Sequence, residues 1–223
     1  MARYIIGDIH GCARSLVDLV VTIDPKAGTD ELIFVGDYID RGPDTYGVVA
    51  YLLSLSETFA CTFLRGNHES MMLRAYAEEQ ESQRAHWLLH GGEETLLSYA
   101  VGTGSRIIPS AHWDFFGATR WYRDDPDAFI VHGGVSPDVS IAKNLAAFYP
   151  EDFLWQRAHL GRTSHPHWEK KVVCGHTPLP EPLMMERLWA IDTGCVYPQS
   201  SGFGRLSAVC LETAVVTSVP FSG

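Results

Sequence analysis

FLRGNHES, residues 63–70, ends a short apolar run with an arginine, a glycine, an asparagine, a histidine and a glutamate in direct succession. The run FACTFL, residues 59–64, reads as a buried strand. A surface turn needs one or two polar residues. Burying such groups without partners would cost roughly 1–3 kcal/mol for each one. Either they form a solvated turn, or they converge on something charged.

The same pattern recurs along the chain. YIIGD ends at Asp8, IFVGD at Asp37 and VVCGH at His176, while FIVHG sets His132 before the Gly133-Gly134 pair. Glycine permits the sharp exits and close approaches that a crowded strand end requires. Open α/β sheets collect their ligands outside such ends. Asp8 and His10 are two residues apart and share one side of an extended chain. With Asp37, Asn67, His132 and His176 they make six nitrogen or oxygen donors and no thiolate, a set that suits manganese, iron(II) or zinc. Six groups exceed the needs of one catalytic ion with open positions. They fit two ions if Asp37 bridges. A lone Gly-Asp is usually a turn, and a lone strand-end histidine is usually structural. Five such ends in one chain point instead to a metal site.

Around these ends the chain alternates strands and helices. Strands are predicted over residues 3–7, 31–36 and 59–66, and helices over 13–23, 45–55 and 70–81. The second half reads as strands over 128–132, 171–175, 188–192, 205–211 and 214–219, with one helix over 141–148. This order predicts a sheet with helices on its faces. Residues 82–127, carrying His86, Trp87, His90, Trp113 and Trp121, read as a helical and loop elaboration over one sheet edge. RTSHPHWE, residues 162–169, reads as an exposed loop. The 223 residues contain no repeat or linker and predict one domain.

Seventeen basic against twenty-seven acidic residues leave a formal charge of −10, which argues against a nucleic-acid partner held by a basic face. No run approaches the roughly 20 apolar residues of a membrane span, so no membrane partner is expected. The N-terminus MARYIIGDIH lacks the apolar segment of a signal peptide. The five cysteines are odd in number and scattered, which suits a reducing cytoplasm.

GDIHG (7–11), GDYIDRG (36–42) and GNHE (66–69) resemble the three signature blocks of the phosphoprotein phosphatase family of metal-dependent serine/threonine phosphatases. HGG (132–134) and GHT (175–177) resemble its later ligand blocks. Within the family, HWLLHGG, FLWQR, GHTP and IDTG look most like the group of the bacteriophage lambda phosphatase and its bacterial relatives. The resemblance implies an α/β fold, a four-layer metallophosphoesterase sandwich of mixed sheets flanked by helices. It implies one calcineurin-like domain over residues 1–223 and two divalent ions, manganese first, with iron or zinc as alternatives. Carried over by motif, Asp8, His10 and Asp37 hold the first ion, and Asp37, Asn67, His132 and His176 the second. His68, backed by Asp40, is the general acid. Arg41, Arg65 and Arg157 contact phosphate. A hydroxide held between the ions attacks phosphorus in line.

The expected partner is then a phosphorylated protein or peptide, with phosphoserine or phosphothreonine as substrate and phosphotyrosine as a further one. One alternative is hydrolysis of diadenosine tetraphosphate and related dinucleoside polyphosphates. The DRG and GNHE blocks weigh against it, as does a chain short for the bacterial symmetrical diadenosine tetraphosphatases, which resemble the same fold. A third reading, a non-catalytic phosphate-binding module, is opposed by the retention of all six ligand positions. Other polar residues take ordinary readings. Asp192 is a turn carboxylate that orients neighbouring loops, Glu69 a helix N-terminal charge, and Cys174 a small core residue. His86 and His90 share a helical face, and His159, His165 and His167 lie in a solvated loop.

Overall fold

Alternation along the first strands sets the layers. Ile5, Ile33 and Val35 face one core, while Ile6, Leu32 and Phe34 face another, so both sides of one sheet are buried. The computed structural model describes residues 1–77 and 80–223. Its strands are β1 (Arg3–Ile6), β2 (Glu31–Phe34), β3 (Ala60–Phe63), β4 (Tyr122–Asp124), β5 (Ala128–Val131), β6 (Lys171–Cys174), β7 (Leu183–Met184), β8 (Leu188–Ala190), β9 (Arg205–Cys210) and β10 (Val216–Pro220). Its helices are α1 (Ala13–Ile23), α2 (Thr45–Ser56), α3 (Asn67–Ala77), α4 (Glu81–Trp87), α5 (Glu93–Thr103), α6 (Ser110–Ala118), α7 (Ile141–Ala146) and α8 (Pro150–Trp155).

Two five-stranded mixed sheets result, ordered β10-β9-β1-β2-β3 and β4-β5-β6-β8-β7. In the first, β1, β2 and β3 run parallel and β9 pairs antiparallel with β1. In the second, β5, β6 and β8 run parallel between antiparallel edges. One core lies between the sheets, with Ile5, Ile33 and Leu64 meeting Ile130, Val173 and Ile191. A second lies under α1 to α6, and a third joins the other sheet to α7 and α8. Helix, sheet, sheet, helix is the four-layer order that the sequence predicts.

Helix α2 starts where expected, at Asp44, whose carboxylate accepts the Gly47 N–H at 2.8 Å. Helix α3 starts at Asn67, three residues before the predicted 70, because Asp37 Oδ1 accepts the His68 N–H at 3.0 Å and serves as a non-local cap. It is described to Ala77; residues 78 and 79 of the predicted helix lie outside the described residues, and α4 opens afresh at Glu81. The elaboration at 82–127 is mostly α4, α5 and α6. Its Trp87, Leu96, Tyr99, Phe115 and Phe116 fill the outer core. Arg162, Thr163, Ser164, Pro166, His167 and Glu169 are exposed, as the loop reading of 162–169 expects, and His165 and Trp168 are not. Trp168 is buried against the second sheet and carries His165 in with it, stacked at 4.3 Å. His159 is also fully buried, so of that solvated histidine loop only His167 stays exposed.

Candidate metal centre

The loops that follow β1, β2, β3, β5 and β6 bring all six ligand candidates to one place. His10, Asp37 and His68 offer ligand atoms within 4.8 Å of one another, and so do Asp37, His132 and His176, so Asp37 belongs to both groups. Asp37 Oδ2 lies 3.4 Å from His10 Nε2 and 3.5 Å from His132 Nε2. Asn67 Oδ1 lies 2.9 Å from His132 Nε2 and 2.8 Å from His176 Nδ1. Asp8 joins from the side: its Oδ2 accepts the His176 N–H at 2.9 Å, while its buried Oδ1 has no partner. The first group thus gathers His68 beside Asp37, with Asp8 further out.

Backbone conformation makes this convergence. Of the seven non-glycine residues with positive φ among those described, five are His10, Asp37, Asp40, Arg41 and His176. Such conformations are costly and persist where the surroundings enforce them, commonly at functional sites. Two glycines serve close approach. A methyl on Gly66 would overlap Asp37 Oδ1, and one on Gly175 would overlap Asp8 Oδ1.

The donor set fits divalent cations on three counts. His10 Nδ1 sits 2.8 Å from the Ile39 carbonyl and His132 Nδ1 sits 3.0 Å from that of Val35, which places each ring proton on Nδ1 and leaves the Nε2 lone pair as the one that could bind a cation. His132 Nε2 and Asn67 Oδ1 then face each other as two acceptors, an arrangement that a cation between them reconciles. Second, burial holds the imidazoles neutral, as ligation requires: His10 falls to about 3 and His176 to about 2, and His132 is lowered too. Third, buried carboxylates crowd together. Burial, then Asp192 and Asp37, raise Asp8 well above its ordinary value, and burial first raises Asp192 and Glu69 each to about 7. Asp37 moves the other way. Burial pushes it up, but its place among four histidines, His132 first, lowers it. Two divalent ions would neutralise this excess negative charge.

His68 and Asp40 form a buried pair, Nδ1 to Oδ2 at 2.7 Å. Burial works against the His68 imidazolium, but Asp37 and Asp40 prevail and raise its pKa. His68 Nε2 is buried with no protein partner. Asp40 is raised by burial, against His68 and Thr95. It also accepts the Trp87 indole N–H at 3.0 Å and the Thr95 hydroxyl at 2.7 Å. Neither residue was singled out from sequence. Both lie in the 82–127 elaboration, and their spacing around HWLLHGG was the available signal.

The arginines separate. Arg41 Nη1 donates to His10 Nε2 at 2.9 Å, and its guanidinium lies 5.8 Å from the Tyr197 ring. Arg157 donates from Nε to Thr177 Oγ1 at 3.2 Å, beside His176. Arg65 is engaged elsewhere: it donates to Thr119 Oγ1 at 2.9 Å and to the Phe116 and Gly117 carbonyls at 3.1 Å, and it lies 4.7 Å over the Trp121 ring. Glu69 exceeds its sequence reading as a helix-terminal charge. Fully buried, it accepts the N–H groups of Asp37 (2.9 Å), Tyr38 (2.8 Å) and Gly66 (2.9 Å), tying two ligand loops together.

A family model described as calcineurin-like phosphoesterase matches residues 1–203. The chain is 26% identical over 215 residues to the asymmetrical bis(5'-nucleosyl)-tetraphosphatase of Oceanobacillus iheyensis, covering 86% of this chain and 84% of that one. It is 44% identical to serine/threonine-protein phosphatase 1 of Salmonella typhimurium, but over 92 residues, 40% of this chain and 38% of that one. A crystal structure assigned provisionally as a diadenosine tetraphosphatase superposes with a TM-score of 0.72 at 22% identity, covering 100% of this chain and 94% of that one, which speaks for the fold. The chain spans only 47% of a symmetrical bis(5'-nucleosyl)-tetraphosphatase, that of Nitrosomonas europaea, so it is short for that group as expected, but it spans most of the asymmetrical relative.

Proposed function

Because the chain belongs to the calcineurin-like phosphoesterase family, we propose that this metallophosphoesterase hydrolyses dinucleoside polyphosphates. The supporting observation is coverage. Relatives named as asymmetrical bis(5'-nucleosyl)-tetraphosphatases align over 86–98% of this chain, whereas a symmetrical one covers 63% and the sequence likeness to a protein phosphatase 40%. Asp8, His10, Asp37, Asn67, His132 and His176 would hold the divalent ions, with Asp37 common to both. When bound, such ions lower the pKa of water and offset charge on the phosphate. Hydrolysis adds water across one P–O bond, and the departing oxygen takes a proton. Asp40 fixes the His68 proton at Nδ1 and steadies the imidazolium, so the unpartnered Nε2 is the atom that delivers that proton. Arg41 and Arg157 add positive charge at the rim.

One observation favours a second reading, a protein serine/threonine phosphatase. A buried His68–Asp40 pair is of most use to an alkoxide, a far stronger base than the phosphate anion that leaves a phosphoanhydride. The test is kcat/KM on diadenosine tetraphosphate and on a phosphoserine peptide, with manganese, iron, zinc or magnesium supplied to metal-stripped protein. We expect no turnover without metal and a higher kcat/KM for the dinucleotide. His68→Asn should cut peptide turnover by roughly 10²–10⁴ and dinucleotide turnover much less. A higher kcat/KM for the peptide would sink the dinucleotide reading.

A further inference from the structure

A cavity of about 330 Å³ lies between α3 and α8, lined by Arg65, Leu73, Arg74, Trp121, Tyr149 and Pro150 among others. Both walls begin at the candidate centre. Helix α3 carries Asn67 at its first residue and Arg74 seven residues on, about 10 Å along the axis. Helix α8 ends at Trp155, whose ring meets His176 at 5.4 Å between centroids, and Tyr149 caps its other end. A substrate whose phosphate sits at the metals therefore sends its next portion into this cleft.

The lining suits a flat aromatic group joined to an anion. Arg65 is fixed by its bonds to Thr119, Phe116 and Gly117 and stacks on Trp121, which meets Phe148 on another side at 6.3 Å. Tyr149 is 59% exposed and Phe148 37%, so aromatic surface is left open to water beside Trp121. Arg74 pairs with Glu151, so the acid in the wall is offset. The cleft on the other flank, beside Arg41 and Tyr197, carries Glu93 and Glu94, which oppose a polyphosphate.

We infer that the α3–α8 cleft is a nucleobase subsite, in which one base of the substrate stacks against the Trp121–Arg65 platform and Tyr149. This rests on the dinucleotide reading of the centre. Stacking of a base on an aromatic side chain contributes roughly 1–3 kcal/mol, about 5- to 150-fold in affinity. In the metal-loaded protein, Trp121→Ala should raise KM for diadenosine tetraphosphate by about tenfold or more, and Trp121→Phe should restore most of the loss. The ratio of kcat/KM for the dinucleotide over 4-nitrophenyl phosphate should fall to match. Tyr149→Ala, at an exposed position, should act in the same direction without lowering the melting temperature. A binding readout stands apart from turnover: calorimetry should show wild type binding adenosine monophosphate more tightly than ribose 5-phosphate, with the gap closing in Trp121→Ala. If wild type cleaves the dinucleotide and neither substitution moves KM, the subsite is wrong and the dinucleotide reading survives. If wild type cleaves no dinucleotide, both fall.

Discussion

Glu69 receives three backbone N–H groups from two loops, and few changes would be smaller than replacing it with its amide. Glu69→Gln keeps the shape but turns an NH₂ toward at least one of the N–H groups of Asp37, Tyr38 and Gly66. Leaving a buried donor unpaired costs roughly 1–3 kcal/mol. We expect the variant to unfold in urea with stability lower by about 2 kcal/mol, and to bind manganese more weakly by calorimetric titration, since Asp37 and Asn67 lie on the tied loops. Unchanged values on both measurements would show that the clamp carries no energy. A glutamate in the first turn of a helix already has a sufficient local explanation in the helix dipole. Nothing in the neighbouring letters indicates donors more than 30 residues back in the chain. Among the candidate ligands Asp8, Asp37, Asn67 and His176 were legible because each repeats one short grammar, an apolar run, then glycine, then a donor, while His132 precedes its glycines and His10 was read from its spacing to Asp8.

Helices α4 and α5 reach the chemistry without supplying any of it. Trp87 closes α4 and Thr95 lies in the first turn of α5, and both hydrogen-bond Asp40. Trp87→Phe removes one donor from that carboxylate and keeps an aromatic ring in the core. We expect turnover of alkyl phosphates to fall by about tenfold, with aryl phosphates affected less, because an aryl leaving group needs its proton less. The dependence of rate on leaving-group basicity is the measurement, and an equal loss on both classes would assign Trp87 to packing alone. At this scale the sequence was uneven. The βαβαβα half was legible because short continuous apolar runs and period-3.6 helices alternate there. The short strands β4 and β7 and the short α8 hold too few residues to show a period. Within the exposed 162–169 loop His165 is buried together with Trp168, and polar neighbours on both sides hide that.

Three buried cores place titratable groups far from water as well as at the candidate centre. His159 is one of them: burial, and then His165, pull it from 6.5 to about 4. Between those values the unfolded chain takes up a proton that the folded chain refuses. The stability is therefore full above about pH 6.5 and declines as pH falls toward 4. In metal-free protein, His159→Asn should flatten the slope of unfolding free energy against pH in this window by up to one proton. Parallel slopes for the two proteins would rule the contribution out. The order of strands in the first sheet has a further consequence for how the protein is made. Strand β1, which leads into Asp8, pairs with β9 at residues 205–210, far along the chain. A nascent chain emerging from the ribosome carries its first candidate ligands on a strand with one edge still open, and that edge closes only after β9 has been made. Completion of this sheet thus waits on a distant segment, and disruption of β9 would strike the Asp8 side of the candidate centre first.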